Sequence, residues 1–153
     1  MVLAAGLAGG LNGWIFSSGA IAWSSLLEEP SWAPPGSVIG GVWIALFQFK
    51  AIALWMCERL GRQGRRWLAA LFLLAQFGAS VLWVCAYFGA RNVANGFTFT
   101  LLAWVLCVFT LWAVGRCSRA AGVLLWPLFA WLSFAIALSY TTMALNPSAG
   151  MGL

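Results

Sequence analysis

The sequence predicts an all-α integral membrane protein, a five-transmembrane-helix bundle that forms one domain over residues 1–153. The chain is 63% hydrophobic and only 7% charged, whereas soluble domains carry about 25% charged residues. Its mean hydropathy is +0.94. Because a membrane-spanning helix needs about 20 apolar residues, a chain of 153 residues has little sequence left outside such spans.

Breaks in the apolar pattern divide the chain into five predicted spans. The first break is the proline-rich segment 28–35, named the proline loop below, and the others are the basic segment 58–66 and the polar segments 90–96 and 115–120. Prolines stop a helix but are tolerated at the start of the next one, where the missing N–H is not needed. The predicted spans cover residues 2–23, 36–57, 67–89, 93–114 and 121–143.

The ends of the predicted spans indicate how the chain lies in the membrane. No basic residue precedes the first apolar run, so the charged start of a cleavable signal is missing and the first span is expected to be retained. Arg91 alone lies in the third loop, whereas the second and fourth loops carry six arginines. The positive-inside rule therefore places the N-terminus in the cytoplasm and the C-terminus and proline loop on the outer side.

The composition leaves few groups for acid–base or metal chemistry. There is no histidine, and the acids are Glu28, Glu29 and Glu58, so the usual general base and the commonest metal ligand are missing. The four cysteines show neither metal-ligand nor disulfide spacing; they are Cys57, Cys85, Cys107 and Cys117. We expect no metal site, and the net charge of +5 reflects membrane topology rather than a nucleic-acid partner.

Lys50 is the one charge well inside a predicted span, about two turns from the cytoplasmic end of the second. An intramembrane cation commonly marks a functional group, such as a counter-ion or part of a translocation step. Alternatively, the long side chain extends to the cytoplasmic headgroups. Small residues four apart, as in Gly6/Gly10 and Ala75/Ala79, predict close helix packing within the bundle or across a dimer.

Eleven tryptophans are the most unusual feature of the composition. Five lie near predicted helix ends and are expected in an interfacial belt: Trp14, Trp55, Trp67, Trp112 and Trp126. Four others lie deeper, and with Phe47 they either line a cavity between helices or take part in ordinary packing: Trp43, Trp83, Trp104 and Trp131. A cavity walled by indole and phenyl rings and lacking imidazole suits a flat, apolar, conjugated ligand.

The segment EPSWAPPGSVIGGVWIALF, with the tryptophan before it, resembles the signature of the TspO/MBR family of tryptophan-rich sensory proteins and translocator proteins. Matches in the first loop and second helix are Trp23, Leu27, Pro30, Trp32, Pro34, Pro35, Trp43, Leu46 and Phe47. Those in the third helix are Gln76, Trp83, Tyr87 and Phe88. Those in the fifth are Ala121, Gly122, Leu124, Pro127, Trp131, Leu145 and Asn146. The correspondence covers residues 23 to 147 and keeps the order and spacing of every block.

This resemblance implies a receptor or sensor in the bacterial cell envelope that binds porphyrins or related tetrapyrroles and acts as a homodimer, with no obligatory cofactor. The ligand-binding residues that it and the aromatic pattern favour are Trp23, Trp32, Trp43, Phe47, Ser80, Trp83, Trp131 and Ala135. One alternative is a transporter subunit for such ligands. Another is an enzyme that degrades porphyrins with light and oxygen, for which Trp43 and Trp131 are the candidate catalytic residues. Because conventional catalytic groups are missing, we favour a protein that is not an enzyme.

The chain departs from the family pattern at several polar positions. Ser24 replaces a tyrosine and Glu29 a lysine, both near the first loop. Within the spans, the substituted positions are Ala79 and Ser80 for Phe-Asn, Leu128 for tyrosine and Ser139 for asparagine. Smaller or apolar side chains thus replace hydrogen-bonding ones, so we expect the fold and broad ligand class to be kept and the fine specificity to differ.

Overall fold

The computed structural model describes residues 6, 10, 13–15 and 19–150. These residues form helices, turns and loops, and they contain no strand. The helices are α1 (Ala20–Ser24), α2 (Gly36–Leu60), α3 (Arg66–Val84), α4 (Val93–Cys117), α5 (Arg119–Leu124) and α6 (Trp126–Leu145). A 3-10 turn, Gln63–Arg65, precedes α3, a π-helical turn, Cys85–Gly89, continues it, and another 3-10 turn, Ser148–Gly150, follows α6.

Four helical segments of the described chain are long and apolar enough to cross a membrane. They are Gly36–Leu60, Gln63–Gly89, Val93–Cys117 and Arg119–Leu145, and they correspond to the second to fifth predicted spans. The first predicted span, residues 2–23, lies largely outside the described residues. The described part therefore shows an all-helical chain with four candidate spans, and the five-helix bundle stays a prediction.

The fifth predicted span is wrong in one respect, because it is two helices rather than one. Its α5 and α6 portions are separated at Leu125, and Pro127 lies in the first turn of α6, where a helix does not need its missing N–H. The Leu125 carbonyl accepts hydrogen bonds from the N–H groups of Leu128 (3.1 Å) and Phe129 (3.3 Å). The break therefore leaves this carbonyl paired, as lipid surroundings require.

One end of the bundle, named the basic end, gathers most of the positive charge. The Arg62 N–H donates to the Cys117 carbonyl at 3.1 Å, and the Arg65 guanidinium donates to the Arg116 carbonyl at 3.2 Å, so the α2–α3 loop meets the α4–α5 junction. The arginines in these two connections and at the adjoining helix ends are Arg59, Arg62, Arg65, Arg66, Arg116 and Arg119.

At the opposite end, the proline loop is bound to the end of α6 through Asn146. The Asn146 side-chain oxygen accepts from the Glu28 N–H at 2.9 Å. Its amide nitrogen donates to the Glu28 carbonyl and to the Thr142 carbonyl, both at 2.8 Å. One side chain thus pairs with both backbone groups of a loop residue, which fixes the loop beside α6.

Two clusters of buried side chains form the interior. The basic-end cluster consists of Ala53, Cys57, Ala69, Leu73, Val114, Cys117, Ala121 and Leu125. The aromatic cluster consists of Leu46, Ala103, Cys107, Leu128 and Leu132, against which Trp43, Phe49, Trp104, Phe129 and Trp131 pack. The five tryptophans expected in an interfacial belt belong to neither cluster. Each of them points outward and is at least 42% exposed.

Candidate ligand-binding site

An apolar groove with a volume of about 420 Å³ lies between α2 and α6. Its lining residues are Val42, Ala45, Leu46, Phe49, Pro127, Ala130, Trp131 and Phe134, and it is named the aromatic groove below. Small-molecule sites typically measure about 300–1,000 Å³, so this groove has the size of a ligand site. Residues of the first three turns of α6, which begins after the break at Leu125, supply one wall.

The proline loop extends the aromatic wall of this groove. The Trp32 ring meets the Phe134 ring edge-on, with 5.7 Å between ring centroids. Phe134 in turn lies 5.4 Å from Trp131. Trp32 is 47% exposed, so part of its surface is free to cover a molecule in the groove. The pairing of Asn146 with the loop backbone keeps Trp32 near this position.

Behind the groove, α2 carries a second row of rings. Trp43 lies 6.4 Å from Phe47 on the same face of α2, and Phe47 lies 5.5 Å from Phe77 of α3. Phe47 is only 3% exposed. Trp43 and Trp131 pack against the same aromatic cluster, but of these two only Trp131 lines the groove.

Lys50 lies between α2 and α3 with its side chain fully buried. Its Nζ donates to Ser80 Oγ at 3.0 Å, and the Ser80 hydroxyl donates to the Gln76 carbonyl at 3.0 Å. The same Nζ lies 4.0 Å from the centre of the Phe47 ring and 4.5 Å from that of Phe77. Lys50 therefore points into the protein. The structure contradicts the alternative in which its side chain extends to the cytoplasmic headgroups.

A separate group of rings fills the space near the turn between α3 and α4. Trp83 and Tyr87 stack at 5.0 Å, and Trp23 of α1 contacts Tyr87 edge-on at 5.3 Å. The Trp83 Nε1–H donates to Thr100 Oγ1 at 2.8 Å and to the Gly96 carbonyl at 3.0 Å. Trp83 is thus held by the contact of α3 with α4, and it is not among the residues that line the groove.

Glycine at position 96 is required for this contact. A Cβ on Gly96 would collide with the Tyr87 ring, which stands on the π-helical turn that continues α3. Such turns insert an extra residue into a helix and occur often at functional sites. Tyr87 was part of the third-helix motif and Gly96 of the polar segment 90–96, but nothing in either predicted that the tyrosine would lie against α4.

Three of the departures from the family pattern have clear local partners. Ser80 accepts the hydrogen bond from Lys50. The Ser139 hydroxyl lies 3.3 Å from that of Thr100. Leu128 is 1% exposed and belongs to the aromatic cluster. The smaller or apolar side chains are therefore built into the packing and do not leave unfilled polar positions.

The structure divides the eight sequence-predicted ligand-binding residues among different places. Trp32 and Trp131 join at the groove through Phe134. The residues around the α2–α3 contact are Trp43, Phe47 and Ser80, and those near the α3–α4 turn are Trp23 and Trp83. Ala135, on α6, is partly buried and is not among the lining residues.

Sequence reasoning missed the α2 wall of the groove. That wall consists of Val42, Ala45, Leu46 and Phe49. Their spacing places them on one face of a helix, and this was the available signal, but aliphatic residues in a chain this apolar do not stand out. The Trp131 indole N–H is the one polar side-chain group in the lining, so the groove suits stacking and dispersion. Among the described residues no cluster of three or more metal-ligating side chains occurs.

Comparisons with known proteins agree with this architecture. A family model described as the TspO/MBR family matches residues 1–145. The chain is 32% identical over 143 residues to tryptophan-rich protein TspO of Chlorobaculum tepidum, covering 92% of this chain and 90% of that protein. It is 30% identical over 139 residues to protein CrtK of Rhodobacter capsulatus, covering 90% and 86%. It is also 30% identical over 122 residues to the translocator protein of Ovis aries, covering 77% and 71%. The chain therefore belongs to the TspO/MBR family of integral membrane proteins.

Proposed function

We propose that this protein is a membrane receptor that binds porphyrins or related tetrapyrroles in the aromatic groove and regulates or traffics them. The observation that carries the proposal is the continuous wall of rings from Trp32 through Phe134 to Trp131 beside a groove of about 420 Å³. A flat conjugated ligand gains stacking and dispersion energy from such a wall. Family membership adds to this argument, because resemblance to the family implies tetrapyrrole ligands.

The remaining parts of the site have supporting roles in this proposal. Trp43 and Phe47 support the wall from behind, since Trp43 packs against the aromatic cluster and buried Phe47 packs against Phe77. Trp32 covers the bound molecule from the proline loop. Ser80, Trp83, Trp23 and Ala135 shape the surroundings of the groove.

We also propose the arrangement in the membrane that the sequence predicts. Residues 2–23 supply a fifth span, and the basic end faces the cytoplasm, because cytoplasmic loops carry the excess of arginine. The proline loop and the C-terminus then lie on the outer side. The family resemblance implies a homodimer, and beyond the sequence prediction we place its second copy on the outward face of α3, where exposed Ala75 and Gly78 would allow close approach.

The first experiment is a titration of the detergent-purified protein with protoporphyrin IX, followed in the dark by tryptophan fluorescence. Trp131→Ala removes the central ring of the wall, and we expect its affinity to fall about tenfold, which corresponds to roughly 1.4 kcal/mol of lost stacking and contact energy. Trp112→Ala is the matched control, because Trp112 is 52% exposed and lies beside Arg116 at the basic end. Equal affinity in all three proteins, or quenching that does not saturate, would contradict the proposal.

The same preparation tests the two alternatives. Illumination in air of the protoporphyrin complex reports degradation, as a loss of porphyrin absorbance that requires the protein and that Trp43→Phe or Trp131→Phe prevents. Release of porphyrin across proteoliposomes reports transport. A receptor leaves the absorbance unchanged and produces no net flux.

A further inference from the structure

Lys50 is an ionisable residue near the middle of a candidate membrane-spanning helix, where such residues are rare. It lies 14 residues after the first residue of α2 and 10 before the last, or about 21 Å and 15 Å along the axis at 1.5 Å per residue. The side chain is fully buried, so it reaches neither end of the span. Ionisable groups at such depth carry a large free-energy cost and usually pair with an opposite charge.

The surroundings of the Lys50 ammonium are polarisable but neutral. An ammonium has three N–H donors, and Ser80 accepts one hydrogen bond from Nζ. The faces of Phe47 and Phe77 give cation–π contacts at 4.0 and 4.5 Å. The nearby Gln76 amide is occupied, because its Nε2 donates to the Ala103 carbonyl at 3.0 Å. These groups solvate a cation in part, but none of them carries a negative charge.

The chain itself supplies no anion to this position. The sequence has three acids, and the structure describes all of them. Glu28 and Glu29 lie in the proline loop, and Glu58 is exposed near the basic end, eight residues beyond Lys50 and so about 12 Å further along α2. A buried lysine without an anion either loses its proton or pairs with a negative charge, and a bound molecule can supply the charge that these three acids do not.

Lys50 is linked to the proposed ligand site through the rings of α2, on a face of that helix next to the one that lines the groove. Trp43, Phe47 and Lys50 follow one another at intervals of four and three residues, which places them on one face of α2. Phe47 joins the two regions, since its ring contacts Trp43 and lies under the Lys50 Nζ. Trp43 packs in turn against the cluster that also holds Trp131. None of these three residues of α2 lines the groove, so a charged group of a ligand held against Trp131 would have to pass the Trp43 and Phe47 rings to reach the buried cation.

We propose that Lys50 binds a carboxylate of the ligand, so that the protein selects flat apolar acids over neutral molecules of the same shape. This inference rests on the proposed function, because it assigns a second group of the same ligand to a second part of the site. In a low-dielectric interior an ammonium–carboxylate pair is far stronger than in water. It also relieves the cost of the buried cation. Tetrapyrroles that carry propionate side chains combine the required ring and the required charge.

The test compares protoporphyrin IX with its dimethyl ester, which keeps the ring and removes both charges. Binding of each is measured by tryptophan quenching for the wild-type protein, Lys50→Met and Lys50→Arg. We expect the wild-type protein to bind the acid at least tenfold more tightly than the ester, and Lys50→Met to lose that preference. Lys50→Arg should keep part of it. Comparing the acid-to-ester ratio of each variant with that of the wild-type protein cancels differences in how the two porphyrins enter the detergent micelle.

A matched control variant tests whether the effect is specific to Lys50, and the different negative results distinguish failure of the Lys50 proposal from failure of the proposed porphyrin binding. Gln48→Met makes a similar polar-to-apolar change on α2, two residues from Lys50 and off the Trp43–Phe47 face, and should leave the ratio unchanged. Lys50→Met is expected to fold, because it removes a buried charge and keeps the side-chain volume. Equal binding of acid and ester by the wild-type protein, or a preference that survives in Lys50→Met, overturns the role of Lys50 alone. Saturable binding of neither porphyrin overturns the proposed function as well.

Discussion

The basic-end cluster and the aromatic cluster are built largely on the same helices, yet they pack in opposite ways. At the basic end the buried residues of α2, α3 and α5 include Ala53, Ala69 and Ala121, all of them 0% exposed. The Gly122 Cα lies so near the backbone of Gly115 that an added Cβ would fall 2.9 Å from its Cα. In the aromatic cluster, by contrast, large rings lie between α2 and α6 and a groove of about 420 Å³ remains open.

Side-chain size, more than helix type or hydropathy, therefore distinguishes the closely packed end of this bundle from the end that holds the groove. In lipid, helices associate through close packing of small residues, so the basic end can act as the rigid foundation. Rings as large as indole cannot interlock so completely, and the space that they leave becomes the candidate site. Three substitutions test this difference between the two clusters, and they follow from the largest effect on stability to the smallest.

Gly122→Ala should have the largest effect, because even one methyl group meets the Gly115 backbone and not a flexible side chain. Overpacking of this kind costs about 1–3 kcal/mol of stability. The measurement is thermal unfolding in detergent, followed by circular dichroism. Gly41→Ala is the control, since no atom lies within 4 Å of its added Cβ, and it should keep or slightly raise the midpoint. An unchanged midpoint in Gly122→Ala would remove the argument for a rigid basic end.

Thr100→Val should have an intermediate effect at the other end of the bundle. It preserves shape but removes the hydroxyl that accepts from Trp83 and donates to the Gly96 carbonyl. We expect a loss of about 1 kcal/mol and a shifted tryptophan emission, since the Trp83 indole keeps only its contact with Gly96. Thr98→Val is matched to it, because the Thr98 hydroxyl is exposed and bonds only within its own helix. Similar unfolding midpoints for the two variants would show that the α3–α4 contact depends on ring packing alone.

Asn146→Ala should have the smallest effect on stability, about 0.5 kcal/mol, because its hydrogen bonds to Glu28 are exposed and exposed hydrogen bonds exchange readily with water. Its local effect should be clear. Hydrogen exchange at the Glu28 amide should become faster, while that in the spans stays the same. Thr141→Val, on the same helix, serves as the comparison, because its hydroxyl contacts only the Ala137 carbonyl. Unaltered exchange at Glu28 would mean that other contacts hold the proline loop.

Much of the fold was predictable, since apolar runs and their breaks specify the second to fifth spans within a few residues. The interruption at Leu125 was not predicted, although Pro127 was visible, because a proline can kink, begin or end a helix and its neighbours decide which. The depth of Trp83 in its span was also predictable. Depth does not specify the direction in which a side chain points, however, and Trp83 turned out to contact α4.

Lys50 shows the same limit in another form. The sequence located a cation inside a span, but two destinations for its side chain were physically reasonable. Only the placement of Ser80 and Phe77 on the neighbouring helix decides between them. Pair contacts between spans depend on the rotation of each helix, which a single sequence of nearly uniform hydropathy records weakly.

The pairing of Asn146 with Glu28 bears on the rates at which a molecule enters and leaves the aromatic groove. The Asn146 side chain is not part of the groove lining, so a bound molecule gains no contact energy from it. A loop held over the groove in this way would slow both entry and departure, while its Trp32 adds contact energy as one of the rings. For a molecule held in the aromatic groove, the last turn of α6 would therefore determine how long each stay lasts, while the rings determine how tightly the molecule is bound.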